Sequence, residues 1–165
     1  LDNNSKISNF LYDKINLKKA VVVDPKNKQD LICSIKNIEY GLFMDSGPLH
    51  VAKMFNKRGF LLETSVSSKI LLKNYNLIKG IENTYSSFFC SAPCGLTDIF
   101  NYENTYGCYD SLKIKSKTCK NNNFKNLINR GVKNYYLENI KKPVGCTSSL
   151  NVQNIYNVIK KDLSL

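Results

Sequence analysis

Arginine is nearly missing from this sequence. Arg58 and Arg130 are its two arginines, although Lys and Arg together number 24 against 13 Asp and Glu, a formal net charge of +11. Charge of this size suits anionic partners: nucleic acid, anionic lipid or phosphorylated small molecules. The lysines are scattered, and the planar guanidinium fork that best grips phosphate is scarce, so a dedicated nucleic-acid face is not expected. Abundant Lys, Asn, Ile and Tyr read instead as the general composition of an AT-rich genome. Apolar runs are short. None approaches the roughly 18 residues of a membrane span. No D-x-D-like carboxylate pair is present to hold magnesium. No signal-peptide pattern opens the chain, which begins at Leu1 rather than Met, so we expect a fragment and read nothing from the missing segment.

What is present alternates. The 165 residues are 42% hydrophobic and 22% charged, which suits one ordinary globular domain with a real core. Ile7, Phe10, Leu11 and Ile15 have helical spacing, with Ser5 as a cap. The β-branched run Lys18 to Asp24 predicts a buried strand. Leu31, Ile32, Ile35 and Ile38 mark one side of a helix over residues 27–38, with Cys33 on its apolar side and in the core. Strand at 39–45, helix at 48–55, strand at 58–65, short helix at 67–75 and a weak strand over "NLIKGIENT" follow. Alternation with short connections predicts an α/β fold: a Rossmann-like parallel sheet with flanking helices. The strands over Ala20–Asp24, Gly41–Asp45 and Phe60–Leu62 should be parallel neighbours or near neighbours. The domain divides into an α/β core at 1–112, a polar excursion at 113–142 and a C-terminal helix at 143–165. In that helix Ser149 is the cap, with Val152, Ile155, Tyr156 and Ile159 on one face.

Histidine occurs once, at His50, inside "FMDSGPLHVAKMF". This stretch closes a strand and opens a helix, an edge where open α/β sheets bind ligands. Gly47 permits a tight turn and close approach of a ligand to the backbone. Pro48 suits the first helical position, where a missing N–H costs nothing. The free amides of the first turn and the helix dipole favour an anion. His50 and the Ser46 hydroxyl face the same edge. Asp45 would repel a phosphate, so it is better placed to accept hydrogen bonds from sugar hydroxyls. The same residues also read as nothing more than a Ser-capped helix with a nearby His.

"MDSGPLHVA" resembles the D-[ST]-G-x-x-H-[LIV]-A signature of the family 9 glycosyltransferases, typified by the ADP-heptose:lipopolysaccharide heptosyltransferases. The preceding "DPKNKQDLICSIKNIEYGLF" is similar to the family's segment before the signature. "CSAPCGL", "YGC" and "GCTSSLNVQNIYNVIKKDL" resemble its cysteine-bearing stretch and closing helix. The match runs from about Asp24 to Leu163, weakly over Lys115 to Lys142. The resemblance implies the C-terminal, donor-binding half of a GT-B enzyme. That enzyme would be inverting and metal-independent, transferring a heptose-like sugar from a nucleotide diphosphate sugar to lipopolysaccharide or another cell-envelope glycan. It further implies that Asp45 contacts the donor sugar, that Ser46, Gly47, Pro48 and Leu49 form the turn whose amides face the diphosphate, and that His50 lies beside it. Thr64 belongs to the loop after the next strand, where this chain has Leu62 or Glu63 in place of an expected Gly. Glu63 there would weaken anion binding. The catalytic base is expected in the missing N-terminal half, so the fragment alone should be inactive. The location implied is cytoplasmic, peripheral on the inner face of the cytoplasmic membrane.

Of six cysteines, Cys90-x3-Cys94, Cys108 and Cys146 have two readings. They are unliganded thiols, or the ligands of a structural tetrathiolate zinc, although the spacing is looser than paired CxxC knuckles. No cofactor is required for the transfer itself. The Lys-rich excursion "KIKSKTCKNNNFKN" could touch anionic lipid. The competing hypothesis is a non-catalytic basic α/β module that binds nucleotide or nucleic acid, with the cysteines as a metal knuckle. Charge gathered around Asp45 to His50 favours the first hypothesis, and a continuous stripe favours the second.

Overall fold

The computed structural model describes residues 23–95, 108, 110 and 145–164. Helix α1 spans Lys28–Asn37 and strand β1 spans Tyr40–Phe43. Helix α2 spans Gly47–Met54, strand β2 Arg58–Leu62, helix α3 Ser68–Leu71 and strand β3 Ile78–Ile81. A 3-10 turn at Gly145–Ser149 leads into helix α4, Val152–Asp162. The strands form one parallel sheet in the order β1-β2-β3. Tyr40 pairs with Arg58 and Phe43 with Leu61, while Gly59 pairs with Ile78 and Leu62 with Ile81. The α/β architecture expected from the alternation is therefore present, and it is consistent with a Rossmann-like fold. Of the three strands foreseen as parallel neighbours, two pair directly as β1 and β2. The third lies partly outside the described residues, and its last two, Val23 and Asp24, are in no strand.

Strand side chains alternate between faces, and the two faces of this sheet have different partners. Phe43, Leu61 and Ile78 point to one side and form the core with Ile35 of α1 and Leu49 and Ala52 of α2. Leu31, Ile38, Val51, Leu71, Leu72 and Tyr75 close its margins. That stripe in α1 steps by four and three residues through 31, 35 and 38. At about 100° per residue, Cys33 then falls on the far side from Ile35. Cys33 is exposed, so its expected place in the core is corrected. The α1 start is fixed by Asn27, whose side chain accepts from Asp30 N at 2.9 Å.

On the other face stand Tyr40, Arg58, Phe60 and Lys79, and the end of α4 docks there. Tyr40 and Phe60 meet edge to face with ring centroids 6.3 Å apart. Asp162 gathers the strands: it accepts from Tyr40 Oη at 3.0 Å, pairs with Lys79 and lies 3.9 Å from Arg58. Burial, then the Asp162 hydrogen bond and charge, push the Tyr40 phenol up to about 12. The Lys79 and Tyr40 bonds hold Asp162 below the ordinary carboxylate range. The α4 cap is Asn151, accepting from Asn154 N at 2.9 Å, and not Ser149 as the sequence suggested. Ser149 ends the 3-10 turn before the helix, where its hydroxyl lies 2.9 Å from both Asn83 Oδ1 and Cys146 O. Val152 and Tyr156, expected on the buried face of α4, are exposed, whereas Ile155, Val158 and Ile159 are half-buried.

Because Asp162 links the end of α4 to Tyr40, Arg58 and Lys79 of the strands, Asp162→Asn should release the helix locally. Amide exchange over residues 152–162 should accelerate while the β1–β3 amides keep their protection, as expected of a low-stability element opening on its own. Uniform acceleration across sheet and helix would show that the tether belongs to the global core instead.

Candidate functional site

Parallel strands deliver their carboxyl ends to a common edge, and three loops start there. The first leaves β1 at Met44 and runs through Asp45 and Ser46 into α2. Asp45, Ser46, Gly47 and His50 are exposed, Pro48 is half-buried and Leu49 is fully buried. Leu49 anchors α2 to the core, so its side chain serves packing. Its amide is also occupied, donating to Ser46 O at 3.1 Å. The expected cradle of consecutive free amides is thus narrower than the resemblance implied. Pro48 has no N–H, Leu49 has donated its own, and Gly47 remains at the helix opening, where the first amides have no intrahelical acceptor. Ser46 occupies the N-cap position but makes no side-chain cap bond. Its hydroxyl donates backwards to Met44 O at 3.1 Å. The helix start is therefore not blocked by its own cap. A Cβ on Gly47 would meet nothing within 4 Å, which makes the space over this turn open.

The second loop leaves β2 beside the first, since Phe43 and Leu61 are register partners. It carries Glu63, Thr64 and Ser67. Thr64 is half-buried at the same edge. Glu63 is not aimed into the open space: it is 4% exposed and ringed by donors. Its carboxylate accepts from Ser68 N at 2.5 Å, from Ser67 Oγ at 3.2 Å and from Asn83 N at 3.3 Å. Burial pulls its pKa upward, but these donors together hold it below the ordinary value of 4.5. Glu63, expected beside the anion, is thus turned into the fold, where its carboxylate is held by neutral donors.

The third loop leaves β3 and carries Cys90 and Cys94; Cys108 and, on the 3-10 turn, Cys146 come from later in the chain. Asn83 is its organiser. It donates from Nδ2 to Glu63 O at 3.1 Å and to Cys146 O at 2.8 Å, and accepts at Oδ1 from Tyr85 N at 2.9 Å. Cys90, Cys94, Cys108 and Cys146 are each half-buried. Burial raises the Cys146 thiol to about 11, with further upward pushes from Cys108, Cys94 and Cys90. Burial also raises Cys90, helped by Cys108, Cys94 and Asp110. Among the described residues, the four cysteines included, no group of three or more His, Cys, Asp or Glu side chains is placed so that it could hold a metal ion. Cys119 and most of the polar excursion lie outside the described residues.

The edge therefore places Asp45 and Ser46, the first turn of α2 with Gly47 and His50, and Thr64 on adjoining connections, with Cys90 and Cys94 on the loop beyond. Sequence reasoning missed Glu63 and Asn83 as the pair that knits the second and third loops. Asn83 had a signal: Asn bonding to the amide two residues on is a common turn device. No family model matches the chain, and neither the curated proteins nor the solved structures searched contain a match to it.

Proposed function

We propose that the chain is the donor-binding half of a GT-B glycosyltransferase of the family 9 type. It would hold a nucleotide diphosphate sugar, heptose-like in its sugar, for inverting transfer to lipopolysaccharide or a related envelope glycan. The observation that carries this reading is the turn Asp45–His50. It joins the family-like signature to an uncapped, exposed helix start at the carboxyl edge of a parallel strand. Bond cleavage leaves growing negative charge on the departing diphosphate. The Gly47 amide, the α2 dipole and His50 stabilise that charge. Asp45, flanking the same turn, accepts from sugar hydroxyls and fixes the sugar. Thr64 contributes a hydroxyl from the neighbouring loop. In an enzyme of this type the general base and the acceptor site belong to the other half, so the role read for these residues is donor binding. Lysines on the surface suit an acceptor embedded in an anionic membrane. Among the described residues, no helix is long and apolar enough to cross one.

Calorimetric titration of the chain with a nucleotide diphosphate and with the corresponding nucleotide sugar tests this. A hydrogen bond to a charged group such as the diphosphate is worth roughly 1.5–3 kcal/mol. His50→Ala should thus weaken both ligands by about one to two orders of magnitude. Asp45→Asn should weaken the nucleotide sugar and spare the bare diphosphate. Equal loss for both would remove Asp45 from the sugar. If neither ligand bound, and single-stranded nucleic acid bound with steep salt dependence, a basic nucleic-acid module would replace this reading.

A further inference from the structure

Three segments distant in sequence are knitted together beyond β3, and each brings cysteine with it. The first is a tight turn. Ser86 and Ser91 form an antiparallel bridge, Ser87 N donates to Cys90 O at 2.7 Å, and Ala92 N donates to Tyr85 O at 2.8 Å. Cys90 N is held by Ser87 Oγ at 3.2 Å. This turn presents Cys90, and its continuation presents Cys94. Gly95 then fastens the continuation to the second loop, donating from its N to Ser65 O at 2.7 Å. The second segment is the 3-10 turn that carries Cys146, bound to Asn83 through the Cys146 carbonyl. Ser148 and Ser149 hydroxyls close this turn on Gly145 O and Cys146 O at 2.7 and 2.9 Å. The third segment supplies Cys108, whose sulfur lies 3.1 Å from where a Cβ on Gly145 would stand. Gly145 has φ +59, so the close approach and the backbone conformation both favour glycine there.

Such an arrangement is unlike a hydrophobic core. The four thiols are half-buried, and the backbones of Cys90 and Cys146 are held by hydrogen bonds. We propose that Cys90, Cys94, Cys108 and Cys146 bind one structural zinc ion as a tetrathiolate. Each thiol gives up its proton to solvent and each sulfur donates an electron pair to the metal, with no change of oxidation state. As placed the four do not form a metal site, so binding requires the sulfurs to draw in to about 2.3 Å from the ion. The metal removes the mutual repulsion that the clustered thiolates would otherwise suffer. Its structural effect is to clamp the third loop against the second, through Gly95 and Asn83, and so to brace the loop that holds Thr64. The inference stands whether or not the donor-binding reading does.

The test uses the reduced 165-residue chain, stripped of metal and titrated with zinc and, separately, with cobalt. One equivalent of zinc should protect Cys90, Cys94, Cys108 and Cys146 from alkylation, mapped by mass spectrometry, and leave Cys33 reactive. Cobalt should give the intense visible bands of a tetrahedral thiolate site together with sulfur-to-metal charge transfer. Cys33→Ser and Asp110→Asn should keep that spectrum, and Cys146→Ser should lose it. Failure to take up metal, uptake that leaves any of the four thiols unprotected, or loss of the spectrum in Asp110→Asn would overturn the tetrathiolate. The protection map on the unaltered chain decides the matter even if the serine variants fail to fold.

Discussion

Gly59→Ala should lower the unfolding free energy by roughly 3–5 kcal/mol. Gly59 has φ +152, a backbone conformation that side-chain-bearing residues rarely adopt. It also sits opposite Gly41 in the β1–β2 ladder. A Cβ on Gly59 would overlap the Gly41 carbonyl, which is backbone and cannot swing aside like a flexible side chain. The strain has no local relief. Separating the strands would break the ladder and move Phe43, whose ring lies where a Cβ on Gly41 would stand. Native domains carry about 5–15 kcal/mol in all, so this one methyl removes a large share. Denaturant titration checks it, with Gly47→Ala as the matched control. Gly47 opens onto empty space and should shift stability by no more than about 0.5 kcal/mol. Equal midpoints for Gly59→Ala and the parent chain would mean that the strands do not approach as described.

That glycine pair shows what the sequence could and could not reveal. "EYGLFMD" and "RGFLLETS" were readable as strands from their apolar runs. Their pairing was readable as parallel because a helix-length segment lies between them. Neither string says that Gly41 and Gly59 face one another, because register is a property of two segments and pattern reading takes them one at a time. The same boundary divides the candidate site. Asp45 to His50 was legible because strand end, turn and helix start are contiguous. Cys33 was misread because its helix had two nearly equivalent apolar readings. The stripe through Leu31, Ile35 and Ile38 was selected by contact with α2 and the sheet, and Ile32 and Cys33 were left outside it. Ser149 was misread for a related reason. It is a good cap by type, but it ends the 3-10 turn two residues before the actual cap, Asn151, and its hydroxyl faces Asn83, far away in sequence, and Cys146 O.

Glu63 is the least legible residue and has the second large effect. In the sequence it looks like an intruder, a carboxylate at the edge where an anion should bind. In the fold it is the acceptor that replaces missing backbone partners, taking the Ser68 amide at the start of α3 and the Asn83 amide after β3. Glu63→Gln keeps the shape but loses the charge, and it turns an NH2 group toward groups that themselves donate. Bonds to a charged acceptor are worth more than neutral ones, so we expect a loss of roughly 2–4 kcal/mol at neutral pH. The sign of the pH dependence follows from the lowered pKa. A carboxylate held below its ordinary value of 4.5 contributes fully above that value, and its contribution is lost as pH falls through the folded-state pKa. The stability gap between the parent chain and Glu63→Gln should therefore be widest near neutrality and close on acidification below about pH 4. Asp162, also lowered, acts in the same direction, so the comparison is made in an Asp162→Asn background as well. A gap that stayed constant across the acid range would mean that Glu63 stabilises the loops by shape alone. The loop carrying Thr64 would then owe its position to packing around Val66 rather than to the buried charge.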